Sequence, residues 1–194
     1  YKEHPEFREN KIKNVMSSIG CPFNCHYCYN NNYRKLYPMY TPVRQRPVEC
    51  VIEECRDLLQ YPLDMIYFQD DCFGFNMEWL EEFASRFKKE VGVPFHCQIR
   101  PEMANPDRMK LFKEAGCHGI TMAIETINEK IRNELLNRHM SSECIKSAGI
   151  LIKNYGLRLR TEQMLGLPDT SIEDELELLR LNLCMKPDIA WTSI

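Results

Sequence analysis

Lys13-Asn14-Val15-Met16-Ser17-Ser18-Ile19-Gly20-Cys21-Pro22-Phe23-Asn24-Cys25-His26-Tyr27-Cys28 is a short, partly apolar run, a glycine, and then a compact loop carrying three thiols. The run reads as a strand over Lys13–Gly20, and the pattern it opens recurs along the chain. Further strand-like runs lie at Asp64–Asp71, Val93–Arg100, His118–Thr126, Leu157–Leu167 and Asp188–Ile194, so six strands are expected. Between them, Pro47 suits a first helical position ahead of Val48, Val51, Ile52, Cys55, Leu58 and Leu59. Asn76 is an N-cap candidate ahead of Trp79, Leu80, Phe83 and Phe87, with Gly92 as the stop. Pro106–Gly116, Asn128–Asn137 and Ser142–Tyr155 are the next helical stretches. Thr170 and Glu173 have capping-box spacing ahead of a Leu176, Leu179, Leu183 stripe that Pro187 closes. Strands alternating with helices predict an α/β fold on a parallel sheet. Six β-α units are too few for a closed eight-stranded barrel, which leaves a partial (β/α)6 TIM-like barrel or a doubly wound sheet. Either architecture gathers ligands at the carboxyl ends of the strands.

A chain of 194 residues suits one domain, at roughly 100–200 residues per domain. Hydrophobic residues at 44% and charged residues at 27% are those of a globular protein. No apolar run approaches the roughly 18–20 residues that cross a bilayer, so no membrane partner is expected. Twenty-five Lys and Arg stand against 28 Asp and Glu, without the one-sided basic field of a nucleic-acid binder. Residues 1–12 are polar and lack the apolar segment of a secretory signal. They read as a lead-in from a preceding domain, with 13–194 forming the core domain and a final helix and C-terminal region expected beyond it. Ten cysteines scattered over a chain this long argue for a reducing, cytoplasmic setting rather than a disulfide framework.

Cys21, Cys25 and Cys28 have Cys-x3-Cys-x2-Cys spacing, and a loop of this length can turn all three thiols toward one centre. A cubane iron–sulfur cluster has four irons, each needing a terminal ligand, and thiolate is the usual donor. Three protein thiolates leave one iron open to a substrate or cofactor. A zinc site is the alternative, taking its fourth ligand from His26 or from a distant residue. A dithiol redox motif from Cys25 and Cys28 would give Cys21 no role.

These three cysteines, with aromatic Tyr27 before the last, resemble the signature of the radical S-adenosylmethionine (radical SAM) superfamily, and the resemblance extends through all six β-α units. It implies a 4Fe-4S cluster on Cys21, Cys25 and Cys28 whose open iron is chelated by the amino and carboxylate groups of SAM. Reductive cleavage of SAM then yields methionine and a 5′-deoxyadenosyl radical. A low-potential ferredoxin or flavodoxin is the expected electron donor. Gln69-Asp70-Asp71, Ala115-Gly116-Cys117, Ala123-Ile124-Glu125-Thr126 and Gly166-Leu167-Pro168 are similar to the cores of cobalamin-dependent members and of related anaerobic cyclases and methylthiotransferases. If a domain outside this chain binds cobalamin, methyl transfer becomes the leading subtype, with cyclisation or rearrangement behind it. An iron–sulfur electron-transfer module that does not cleave SAM, or a zinc-stabilised binding module, is the rival reading.

The resemblance also implies roles for single residues. The backbone around Tyr27 meets adenine, and Glu125 accepts from the ribose hydroxyls. Arg138 pairs with the SAM carboxylate, for which a guanidinium is well shaped. Arg100 points toward the same mouth, to SAM or to substrate. Asp70 and Asp71 stand where many members carry Gly-Gly-Glu, and backbone carbonyls there receive the methionine amino group. Of Glu162 and Gln163, a polar pair on ribose or substrate, only one can face the cavity, because neighbouring strand residues point to opposite sides. No catalytic residue is assigned. Cys50, Cys55, Cys117, Cys144 and Cys184 are expected as core fillers. Cys72 and Cys97 lie near strand ends, and Met122 and Met164 on strands that could line the cavity.

Overall fold

The computed structural model describes residues 3–37 and 43–194. A short helix, α1 (Pro5–Arg8), precedes β1 (Ile12–Val15). Lys13 of β1 is fully buried, and its ammonium donates to the carbonyls of Phe7 and Arg8 at 2.6 and 2.7 Å, closing the end of α1. The expected strand Lys13–Gly20 is broken at its middle. Its second half, β2 (Ser18–Ile19), leaves the main sheet and pairs antiparallel with β3 (Arg44–Gln45). The cause is Asp70, whose buried carboxylate accepts from the Ser17 amide at 3.0 Å and from the Ser17 and Ser18 hydroxyls at 2.6 Å each. Gly20, at φ 92°, then turns the chain into the cysteine loop, a conformation that favours glycine. Helix α2 (Tyr29–Leu36) follows, and only Asn30 is buried along it, so no apolar stripe announces it in the sequence.

Beyond this point β-α alternation holds: α3 (Val48–Leu58), β4 (Met65–Phe68), α4 (Met77–Glu90), β5 (Phe95–Ile99), α5 (Pro106–Ala115), β6 (Cys117–Glu125), α6 (Ser142–Asn154), β7 (Arg158–Met164), α7 (Ile172–Met185) and β8 (Ile189–Ser193). Where a longer helix was expected over Asn128–Asn137 there is a single π-helical turn, Ile131–Leu135. The main sheet has six parallel strands in the order β1-β4-β5-β6-β7-β8. That order follows the chain without reversal, which excludes a doubly wound sheet and leaves the partial (β/α)6 barrel. No helix among the described residues is long and apolar enough to cross a membrane.

Side-chain alternation divides the sheet into two faces. On β5, Phe95, Cys97 and Ile99 are buried in the helix-side core, while His96 and Gln98 point to the opposite face. On β7, Leu159, Thr161 and Gln163 are buried and Arg160, Glu162 and Met164 are partly open. The helix-side core centres on stacked and edge-on rings. Phe83 lies 4.8 Å from Phe87, 5.1 Å from Trp79, 5.3 Å from Phe73, 5.6 Å from Phe68 and 5.7 Å from Phe95.

Helix α7 corrects the sequence reading. Its N-cap is Ser171 and its capping box closes with Asp174, one residue later than the Thr170 and Glu173 expected. Leu178, Leu181, Asn182 and Met185 face the fold, whereas Leu176, Leu179 and Leu183 are 49%, 55% and 66% exposed. Two contacts set this rotation. Thr161 of β7 donates to the Asn182 side chain at 2.7 Å, and Met185 fills space that a Cβ at Gly149 would occupy. The cysteines also differ from expectation: Cys55 and Cys117 are buried fillers, but Cys50 and Cys184 are exposed and Cys144 is half-buried.

Because Phe83 touches five other rings, Phe83→Ala is expected to cost about 3–5 kcal/mol. Urea titration should show a lower midpoint with an unchanged slope, and a midpoint equal to that of the parent chain would contradict the packing described.

Candidate functional site

Cys21, Cys25 and Cys28 all line one cavity at the carboxyl ends of the strands, shared with Tyr27, Asp71, Cys72, Gln98, Arg100, Glu125, Arg138 and Glu162. The loop is fastened on two sides. On one, Arg34 of α2 reaches back to the carbonyls of Cys21 and Phe23, the latter at 2.5 Å. On the other, the His26 amide donates to the Leu136 carbonyl at 3.1 Å, and Asn137 Nδ2 donates to the Asn24 carbonyl at 2.6 Å.

All three thiols are free. Each sulfur also meets a neighbour that can donate. Arg100 Nη1 lies 3.0 Å from Cys25 Sγ, Asn30 Nδ2 lies 3.7 Å from Cys28 Sγ, and the Cys72 sulfur lies 3.6 Å from that of Cys21. The contact with Cys72 pulls the Cys21 thiol down to about 7 against its burial. The same contact, with burial, pushes Cys72 well up, and burial raises Cys28. Among the described residues no three His, Cys, Asp or Glu side chains converge closely enough to hold one metal ion. Three thiols on one cavity fit the donor set of a cluster that keeps one iron open.

Facing the thiols is a buried ionic network. Glu125 ends β6 in the left-handed region at φ 67°, a conformation costing on the order of 1–3 kcal/mol and sustained only by its surroundings. The β6–β7 register slips between Ala123 and Glu125, and such a bulge re-aims the side chain beside it. Glu125 Oε1 accepts from the Tyr27 hydroxyl at 2.5 Å and from Arg138 Nη1 at 2.5 Å. Arg138 donates as well to the Tyr27 oxygen and to the Ala123 carbonyl, both at 2.9 Å. Burial holds the Tyr27 hydroxyl protonated far above its usual range, so it serves as a donor. Arg138 is itself buried, and its Nε has no partner. The sequence reading gave Glu125 and Arg138 separate tasks; the structure places them on one another at the cavity wall.

The other residues singled out from the sequence divide. Asp71 lines the cavity and accepts from the Tyr29 hydroxyl at 2.7 Å. Asp70 does not: its carboxylate is spent on Ser17 and Ser18 behind the loop. Glu162 faces the cavity, beside Arg160 at 2.9 Å. Gln163 points the other way, donating to Thr192 at 3.1 Å and accepting from Asn182 at 3.3 Å beneath α7. Arg100 lies against the loop, stacked over Phe23 at 3.9 Å and paired with Glu102 at 2.6 Å. Met122 and Cys97 belong to the helix-side core. Cys72, placed near a strand end by the sequence reading, touches Cys21. One residue was missed. Arg132, fully buried, staples the β6–α6 connection through the Thr126 and Met140 carbonyls at 2.8 and 3.1 Å. Nothing in its local pattern marks it.

A sequential parallel sheet with a three-cysteine loop at its ligand-binding end defines a class. The Radical SAM superfamily model matches residues 15–181, and the chain belongs to that superfamily of enzymes, whose members imply a 4Fe-4S cluster and SAM. An uncharacterized methyltransferase of Pyrococcus horikoshii is 30% identical over 166 residues, covering 82% of this chain and 34% of that protein. The cytidylyl-2-hydroxyethylphosphonate methyltransferase of Streptomyces wedmorensis is 24% identical over 164 residues, covering 82% of this chain and 29% of that protein. The chain therefore spans about a third of the length of these relatives. Among solved structures, the radical SAM methyltransferase TsrM of Kitasatospora setae, bound to tryptophan and a SAM analogue, shares the fold at a TM-score of 0.83 and 16% identity over 98% of this chain and 37% of that one. The cobalamin-dependent SAM radical enzyme OxsB shares it at 0.67 and 17% identity, over 87% of this chain and 26% of that one.

Below the cavity floor, His96 Nε2 lies 2.7 Å from the Thr121 hydroxyl and the ring stacks on Tyr67 at 4.8 Å. Burial, with Arg160 nearby, lowers its pKa from 6.5 to about 4. Between those values the unfolded chain binds a proton that the folded one refuses, so stability falls as pH drops from 6.5 toward 4. Urea titrations across that window should show a shallower pH slope for His96→Gln than for the parent; equal slopes would contradict a neutral His96.

Proposed function

We propose that this chain is the SAM-cleaving core of a radical SAM enzyme, with Cys21, Cys25 and Cys28 holding three irons of a 4Fe-4S cluster and SAM seated in the adjoining cavity. The observation that carries this reading is the meeting, in one cavity, of three free thiols from a single loop with the Glu125–Arg138 pair, whose Arg138 Nε is buried without a partner. When bound, the cluster and SAM supply a one-electron reductive cleavage of a sulfonium C–S bond.

The residues of the chain bind and orient. Arg138 Nε is a ready donor to the SAM carboxylate, because the remaining nitrogens of the same guanidinium are committed to Glu125, Tyr27 and Ala123. Glu125 keeps one carboxylate oxygen for the vicinal hydroxyls of ribose while the other holds Arg138 and Tyr27. Asp71 and Glu162 add acceptors on the cavity wall, and Ala123 supplies apolar surface against the adenosyl group.

For the whole protein the reading extends to cobalamin-dependent methyl transfer. It is supported by relatives named as methyltransferases and by structural neighbours whose names include cobalamin. Cobalamin would be bound by a domain outside this chain, and a ferredoxin or flavodoxin in the cytoplasm would supply the electron.

The test is anaerobic reconstitution of the full-length protein with iron and sulfide, followed by a strong reductant and SAM. Formation of 5′-deoxyadenosine or SAM-dependent methyl transfer is expected, with Cys25→Ala losing both the cluster absorbance and the product. Glu125→Gln should keep iron and sulfide while weakening SAM binding about tenfold or more, since hydrogen bonds to charged groups are worth about 1.5–3 kcal/mol. Purified protein that holds zinc without acid-labile sulfide would overturn the assignment.

A further inference from the structure

Each thiol sulfur of the cysteine loop is met by a donor-bearing side chain from a different part of the chain. Arg100, just past β5, brings Nη1 to 3.0 Å from Cys25 Sγ. Asn30, the one buried residue of α2, brings Nδ2 to 3.7 Å from Cys28 Sγ. Cys72, buried just beyond β4, sets its sulfur 3.6 Å from Cys21 Sγ. Beyond the ligands themselves, hydrogen bonds to the ligating sulfurs and the burial of the site set the potential of an iron–sulfur cluster. A donor draws electron density from the sulfur and stabilises the reduced, more negative cluster.

We propose that Cys72, Arg100 and Asn30 form an outer shell of hydrogen-bond donors, one to each ligating sulfur, that raises the reduction potential of the cluster. The inference rests on the assignment of Cys21, Cys25 and Cys28 as its ligands. The direction of the Cys72 contact follows from that assignment. A sulfur bound to iron as thiolate carries no proton, so in the pair Cys21–Cys72 only Cys72 can donate. Nor is Cys72 placed as a fourth ligand, because terminal thiolates on separate corners of a cube diverge, while these two sulfurs touch at 3.6 Å. Arg100 is the strongest of the three donors. It adds a positive charge to its hydrogen bond, and it is fixed by stacking on Phe23 at 3.9 Å, by Glu102 at 2.6 Å and by the Arg138 carbonyl at 2.8 Å. All three nitrogens of its guanidinium thus already have a partner. The three residues act on the cluster through its ligands and are positioning residues.

The experiment is a redox titration of the anaerobically reconstituted protein, followed by paramagnetic resonance of the reduced cluster, for the parent, Cys72→Ala, Cys72→Ser and Arg100→Met. Iron and sulfide contents are measured on every sample. With those contents matched, Cys72→Ala should shift the midpoint to more negative potential, Cys72→Ser should restore it toward the parent through its hydroxyl, and Arg100→Met should shift it furthest. Iron–sulfur stretching bands should also move on transfer to heavy water in the parent, and less so in Cys72→Ala. Midpoints and bands that coincide across cluster-loaded variants would overturn the donor shell while leaving the ligand assignment intact. A parent spectrum indifferent to SAM that becomes responsive in Cys72→Ala would overturn it by making Cys72 a ligand. A parent protein that takes up no cluster would sink the ligand assignment itself, and the shell with it.

Discussion

The carboxylate of Glu125 is the point at which the site is held together. It ends the longest strand in a left-handed conformation, takes the guanidinium of Arg138 from the following connection, and takes the hydroxyl of Tyr27 from the cysteine loop. The cysteine loop is thereby joined, across 98 residues of sequence, to the end of β6 and the connection that follows it. A pair this buried is costly to form and more costly to break, because removing one partner leaves a charge without water or counterion. Its geometry therefore fixes where the thiols stand relative to the sheet, and the strained backbone at Glu125 is sustained by the bonds that Tyr27 and Arg138 make to its carboxylate.

Other buried polar groups extend the same logic outward from the cavity. Asp70 ties the turn ahead of the loop to the end of β4, and Arg132 ties the π-helical turn to the start of α6. Arg34 and Asn137 hold the loop backbone itself. The aromatic core under α4 makes the platform stiff, while the opposite face of the same strands carries Gln98, Thr121 and Glu162 to the cavity. Packing and recognition thus occupy alternate residues of one strand, so a one-residue slip in register would exchange them.

Much of this was legible in the sequence, and the parts that were not share a physical cause. The strands and most helices follow from hydrophobic period and stop residues, and the three thiols from their spacing. Periodicity could not show that Asp70 folds back on Ser17 and Ser18, since a carboxylate at a strand end looks the same whether it faces a ligand or a neighbouring turn. It misjudged α7, where leucines outnumber the places that can bury them and where Asn182 and Met185 decide which side turns inward. Glu162 and Gln163 were separable only once the pleat was seen. Arg132 gave no pattern at all, because its bonds to the Thr126 and Met140 carbonyls and the Ser142 hydroxyl are made only by the tertiary fold, and Cys72 showed its place near a strand end but not its contact with Cys21.

The account turns on SAM binding directly to an iron that the protein leaves free. Electron–nuclear double resonance of the reduced, reconstituted protein tests this, using SAM isotopically labelled at its amino nitrogen and carboxylate oxygens. Hyperfine coupling of both labels to the cluster is the predicted result. A cluster spectrum without either coupling at saturating SAM would contradict the account.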